Sequence, residues 1–202
     1  MRGRPKQFDP DCALDRAMML FWERGYERTS LGDLLHAMGI SRQSLYDTFG
    51  DKRSLYLAAL DRYRSRQQHE IVAELFADDP SLPAIRAVFE RLVASAACGQ
   101  RRSCMLGSST LERGDCDSDV VERVHATLKQ MEGRFELAIR NAIAKHELGC
   151  VGEPRAVARH LVNTLQGLSV LSKGGASPEE IRDVVEVALS VLSPAPSPPQ
   201  AT

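Results

Sequence analysis

Aromatic residues are scarce in this chain, 5% of 202 positions with a single tryptophan. No apolar run is long enough to span a bilayer, so no membrane partner is expected. The first twenty residues lack a signal-type apolar stretch, and the expected location is cytoplasmic. Five cysteines are present: Cys12, Cys98, Cys104, Cys116 and Cys150. Their number is odd, no C-x-x-C pair occurs, and the spacing matches no zinc ribbon. A disulfide framework is therefore excluded, a reducing compartment fits, and neither metal nor cofactor is expected. There is no Gly-rich phosphate loop and no nucleophile motif, which argues against an enzyme. Net charge is nearly absent as well, at −1. Residues 1–64 hold 11 Lys/Arg against 9 Asp/Glu, a balance of +2, and the remainder 15 against 18, a balance of −3. Any surface for nucleic acid must come from a few placed residues rather than a basic domain.

What is present is helix. Apolar residues make up 43%, with Leu, Ala, Val and Met prominent among them. Asp9-Pro10 supplies an N-cap and a proline at the first helical position; Leu14, Ala17, Met18 and Phe21 follow at helical spacing, and Gly25 stops the helix. Ser30 with Asp33 is a capping pair for a second helix that ends at Gly39. Ser41 caps a third, from Arg42 to about Thr48, and Asp51 opens a long fourth. The seam of the fourth, Leu55, Ala59 and Tyr63, continues on this reading to Val72 and Leu75. A fifth helix after the Asp78–Ser81 turn carries Ile85, Val88, Phe89, Leu92 and Val93. Residues 99–118 are the least patterned, with a short helix from Met105 to about Leu111. Asp117 opens a seventh, whose apolar positions from Val121 to Ala142 alternate by three and four. Val157, Leu161, Leu165 and Leu168 mark an eighth ending at Lys173-Gly174-Gly175, and Ser177-Pro178-Glu179-Glu180 starts a ninth. The Pro-rich residues 194–202 read as a disordered tail. No strand pattern competes, so the expected fold is all-α with about nine helices.

Function is concentrated between Thr29 and Lys52. Two short helices joined by Gly39-Ile40-Ser41 form a turn tight enough to hold them at a steep angle. Leu34, Ile40, Leu45 and Phe49 are placed to make the small core that fixes that angle. The second of these helices then has a polar face of Arg42, Gln43, Ser44, Tyr46 and Asp47. Arg and Gln can pair with base edges in a major groove. Tyr46, Lys52, Thr29 and Ser30 suit phosphates. The basic start, with Arg4 and Lys6, reads as an arm for a groove or the backbone. Tyr46 and Phe49 can also be simple core, and the basic start a solvated tail.

Residues 8–64 resemble the N-terminal domain of the TetR family of bacterial transcription regulators. The likeness is carried by Phe21, Gly25, Tyr26, Thr29, Ser30, Gly39, Ser41, Leu45, Tyr46, Phe49, Lys52 and Leu55. Leu35 departs from the family pattern, where a small residue is common. The resemblance implies a helix-turn-helix domain at 1–50 with a basic arm at 1–7, and a ligand-binding and dimerisation domain at 51–193. It implies a homodimer on a palindromic double-stranded operator, released by a small-molecule effector. The last two helices would pair with their copies, through Leu161, Leu165, Leu168, Ile181, Val184, Val185, Ala188 and Leu192. The ninth helix supports this independently, being apolar on more than one face, although a central helix of a monomer fits that pattern too. Lining candidates for an effector pocket are Phe89, Met105, His125, Met131, Asn163 and Gln166.

Cys104 follows Arg101-Arg102 and precedes a helix start, a setting that lowers a thiol pKa. Its segment is similar to the branch of the family that senses electrophiles and oxidants through cysteine. The alternative is an inert core cysteine. Cys98 and Cys116 are conceivable disulfide partners. The expected function is a ligand- or thiol-responsive repressor, with activation left open. Rival readings are a helical thiol enzyme using Cys104 and His125, and an interaction module that has lost DNA binding.

Overall fold

The computed structural model describes residues 8–70, 72–98, 104–149 and 151–192. The basic arm with Arg4 and Lys6, the Arg101-Arg102 pair, Cys150 and the 194–202 tail lie outside the described residues. Among the described residues there are nine α-helices, one 3-10 turn and no strand ladder. They are α1 Pro10–Arg24, α2 Leu31–Met38, α3 Arg42–Phe49, α4 Lys52–Glu70, α5 Leu82–Ala97, α6 Met105–Arg113, α7 Ser118–Ala144, α8 Pro154–Gly174 and α9 Pro178–Leu189.

The helix ends follow local chemistry. The Asp9 carboxylate accepts the N–H groups of Asp11 and Cys12 and holds the start of α1. Ser30 with Asp33, and Ser177 with Glu180, form reciprocal capping boxes at α2 and α9. Glu153 accepts the N–H of Ala156 at the head of α8. The fifth helix is capped differently. Ser81 makes no side-chain cap bond there, and Glu147 supplies the carboxylate instead, accepting the Leu82 N–H at 3.0 Å and the Ser81 hydroxyl at 3.2 Å.

Chain packing divides the molecule into two units. One contains residues 1–66 and 105–124, the other 67–104 and 125–202. Their boundaries therefore run through α4, between Cys104 and Met105, and through α7. In the first unit Ala17, Met18 and Phe21 of α1, Leu34 of α2, Leu45 of α3 and Leu55, Ala59, Leu60 and Tyr63 of α4 are buried together with Met105 of α6. The second unit has a core of Ile85, Val88, Phe89, Phe135, Ile139, Leu161, Leu168, Ile181 and Val185.

Two expectations are corrected here. The fourth helix does not reach Leu75. It ends at Glu70, after a stretch from Arg64 to Glu70 without an apolar residue, and Ala73–Phe76 forms a separate 3-10 turn. That turn is held by Arg134 of α7, which donates to the carbonyls of Leu75 and Ala77 while its guanidinium lies 5.1 Å from the Phe76 ring. The second correction concerns the residues expected to pair the last two helices with their copies. Leu161, Leu168, Ile181, Val185, Ala188 and Leu192 are all buried inside this one chain, and Leu165 is half-buried. The exposed large apolar residues of α8, α9 and the turn just after α9 are Val170 (62%), Leu171 (45%), Val184 (37%), Val187 (71%) and Val191 (39%). On α9 the spacing puts 184 and 187 on one face and 181, 185 and 188 on another, with Val191 and Leu192 just past its end. A helix apolar on two faces does not tell from sequence which one its own core takes.

Candidate nucleic-acid interface

The α2–α3 turn is built around Gly39, whose φ of +68° is a left-handed conformation that a side chain disfavours. The N–H groups of Gly39 and Ile40 both return to the Leu35 carbonyl, closing α2. Ser41 then caps α3 by accepting the Ser44 N–H at 3.1 Å. Leu34 and Leu45 are fully buried, whereas Ile40 and Phe49 are half-buried at the edge of the same small core. With Leu45 turned inward, α3 exposes Arg42, Gln43, Tyr46 and Asp47. Tyr46 is 47% exposed, which answers the core alternative for this residue. The Gln43 amide donates to Asp47 at 2.7 Å, a bond that uses one of its two N–H groups and leaves its carbonyl oxygen uncommitted among the described residues.

The remaining residues expected to touch phosphate fall into different places. Ser30 is exposed at the head of α2, where its hydroxyl is engaged with Asp33. Ser44 is half-buried, and its hydroxyl meets that of Ser41. Thr29 is fully buried and donates its hydroxyl to the Gly25 carbonyl at 2.6 Å. Its side chain holds the turn and does not face outward. Lys52 is half-buried with its ammonium 4.1 Å from the centroid of Tyr26. On the other count, Arg113 approaches the same ring at 4.5 Å.

The support behind this face was not legible in the sequence. Tyr26 and Phe21 both pack against Tyr56 at 4.9 Å. Burial pushes the Tyr56 hydroxyl up to about 12, and it stays protonated to pair with Ser109 of α6 at 2.7 Å. Arg53, at the start of α4, forms a two-pronged bond with Asp117 at 2.9 and 2.8 Å and also reaches Asp119. The Asp117 carboxylate is held down to about 2, chiefly by that guanidinium. Its expected role as a plain cap of α7 is thus widened to an ion-pair centre.

The arrangement is a short helix, fixed on one side by a buried leucine and a glycine turn, with arginine, glutamine and tyrosine on the other. Comparison with known proteins agrees with it. The pattern described as "Bacterial regulatory proteins, tetR family" matches residues 13–59, and "Tetracyclin repressor-like, C-terminal domain" matches residues 81–188. An uncharacterized HTH-type transcriptional regulator of Bacillus subtilis, YezE, is 36% identical over 192 residues, covering 94% of this chain and 99% of its own length. The HTH-type transcriptional repressor ComR of Escherichia coli is 33% identical, covering 93% of this chain and 90% of its own. Among solved structures, a cysteine mutant of the TetR family transcriptional regulator CifR, complexed with 26 bp double-strand operator DNA, superposes with a TM-score of 0.81 at 31% identity. That match covers 93% of this chain and 98% of the other.

The chain belongs to the TetR family of bacterial transcription regulators. Its members are DNA-binding regulators rather than enzymes, and the thiol-enzyme reading falls. No helix among the described residues is long and apolar enough to cross a membrane.

The residues expected to line an effector pocket separate in the structure. Phe89 is fully buried, 6.3 Å from Phe135 by ring centroid, and Met131 and Gln166 are half-buried in the same unit. His125 and Asn163 are exposed, and Met105 belongs to the other unit, so these three do not join them. All four described cysteines carry free thiols, Cys98 and Cys116 included. Cys104 is half-buried and sits immediately before α6. Cys12 donates to the Asp9 carboxylate at 3.2 Å, which raises its pKa and disfavours the thiolate. The Cys116 thiol donates to the Arg113 carbonyl at 3.6 Å.

Proposed function

We propose that this chain is a repressor that binds a palindromic double-stranded operator as a homodimer, reading it with Arg42, Gln43 and Tyr46 of α3. The observation that carries this reading is the exposed polar face of α3, set on the buried Leu45 and the left-handed Gly39. The repressor ComR and the operator complex of CifR, both more than 30% identical over most of the chain, support it. On this reading residues 1–50 form the DNA-binding part, with Lys52 just beyond it and Arg4 and Lys6 as a basic arm, and 51–193 the effector and dimer part. Val170, Leu171, Val184, Val187 and Val191 support a dimer through α8 and α9, since five exposed aliphatic side chains on two adjacent helices favour a covering partner. Phe89, Met131 and Gln166 are the remaining candidates for an effector site. Release comes from a small molecule or from modification of Cys104, and either agent must bind or favour the non-binding form of the dimer to shift it. A cytoplasmic location, where a bacterial operator lies, goes with this reading.

The test is a selection of duplexes from a random pool, followed by affinity measurement across salt concentrations. Enrichment of an inverted repeat, with tighter binding than to unrelated DNA, is expected. Failure to enrich any sequence would overturn the reading in favour of an interaction module.

A further inference from the structure

We propose that Glu112, in the last turn of α6, is a positioning residue for DNA reading: its carboxylate holds the α1–α2 turn and so sets how α2 and α3 are presented. The inference rests on the DNA-binding reading above and adds a residue that lies outside the helix-turn-helix.

The Tyr26 N–H donates to one Glu112 oxygen and the Glu27 N–H to the other, both at 2.8 Å. These two N–H groups lie just past the end of α1, where the Gly25 N–H has already taken the Phe21 carbonyl. One carboxylate receiving two consecutive backbone donors is a charge-assisted, two-pronged bond with a defined orientation. Room for it depends on Gly25. A Cβ at that position would lie 2.8 Å from both Glu112 oxygens, and φ there is +84°. The turn held in this way is itself a fixed piece. Thr29 closes it onto the Gly25 carbonyl through its hydroxyl, and the next residue, Ser30, is the N-cap of α2. Displacement of residues 26 and 27 therefore displaces the start of α2.

Glu112 does not act alone on its helix. Ser109, Glu112 and Arg113 share one face of α6 at spacings of three and four. Ser109 bonds the Tyr56 hydroxyl, and Arg113 bonds Glu27 at 2.6 Å and lies over the Tyr26 ring. Leu111, off that face, is 87% exposed. The α6 face toward the α1–α2 turn is thus polar and directional. Apolar packing tolerates sliding, whereas hydrogen bonds to backbone donors fix a position as well as a distance.

The experiment uses the full chain and a duplex enriched from a random pool by the wild type. Affinity for that duplex and for an unrelated duplex is measured for Glu112→Gln and Glu112→Ala, with circular dichroism to establish the folded fraction. Loss of one or both charge-assisted bonds should weaken binding to the selected duplex by roughly tenfold or more, with binding to the unrelated duplex kept. Gly25→Ala adds a second readout. In the wild type its methyl strains the backbone and presses on the carboxylate; in Glu112→Ala only the backbone strain remains. The loss caused by Gly25→Ala should therefore be smaller in the Glu112→Ala background. Folded Glu112 variants that bind the selected duplex like the wild type would overturn the proposal. So would an equal loss on both duplexes that tracks the folded fraction, which is what a merely stabilising residue gives. A wild-type chain that enriches no duplex overturns the DNA-binding reading, and this inference with it.

Discussion

Substitution of Val187 by Asp tests the assembly. Val187 is 71% exposed in the single chain, on the face of α9 that also carries Val184, with Val191 just past the helix end. If that face packs against its copy, each subunit buries most of one valine there. Full burial of a valine contributes about 1.5–3 kcal/mol, so about 1–2 kcal/mol is lost per subunit and about 2–4 kcal/mol per dimer. Two carboxylates would also be desolvated without partners, at further cost. A loss near 4 kcal/mol raises the dimer dissociation constant about a thousandfold. The chain itself should stay folded, because a substitution at an exposed site changes stability by only about 0.5 kcal/mol. Val185→Asp is the contrast. Its valine is buried in the chain's own core, so the charge should unfold the subunit rather than separate two folded ones. Sedimentation velocity at micromolar concentration, with circular dichroism on the same samples, reads both effects. A Val187→Asp chain that sediments as a dimer like the wild type, or a wild type that is a folded monomer at concentrations where it binds its duplex, would refute the reasoning.

Other outcomes are expected at the DNA face and at the buried charges. Gln43→Ala should weaken the selected duplex by about 1–3 kcal/mol and relax one base position, while Lys52→Ala should weaken all duplexes alike and lower the salt slope by about one; equal effects of the two across duplex variants would remove the distinction. Asp117, held down to about 2 against an ordinary 3.8, contributes stability that is fully present above about pH 4 and is lost as pH falls toward 2. The contribution is at most about 2 kcal/mol, reduced by screening because Arg53 is part-exposed. A melting curve series over that range should steepen in the wild type relative to Asp117→Asn, and parallel curves would contradict the assignment. Limiting iodoacetamide at neutral pH should label Cys104 first and Cys12 late, since Asp9 opposes the Cys12 thiolate. Peptide mass spectrometry that finds Cys12 labelled ahead of Cys104 would return Cys104 to an inert role.

Much of the α1–α4 region could be read directly. Asp9-Pro10, Ser30 with Asp33, Gly39 and Ser41 act within four residues of themselves, so their capping chemistry is written locally and recurs in the structure. The polar face of α3 was legible for the same reason, because one buried leucine in a short helix fixes which side remains outside. Thr29 was not. A threonine next to a helix N-cap looks the same in sequence whether its hydroxyl faces solvent or bonds the carbonyl four residues back.

The sequence alone determined the class of fold, the order and approximate positions of the nine helices among the described residues, the helix-turn-helix and the family. These rest on periodicity and on capping, which depend on near neighbours. Tertiary structure decided the rest. It ended α4 at Glu70, where Arg134 from α7 holds the following turn. It assigned one apolar face of α9 to the chain's own core and left the other exposed. It set Glu112 against Tyr26, 86 residues away. Local rules carry no information about such pairings, because a side chain's partners beyond its own helix are fixed only when distant segments compete for the same core.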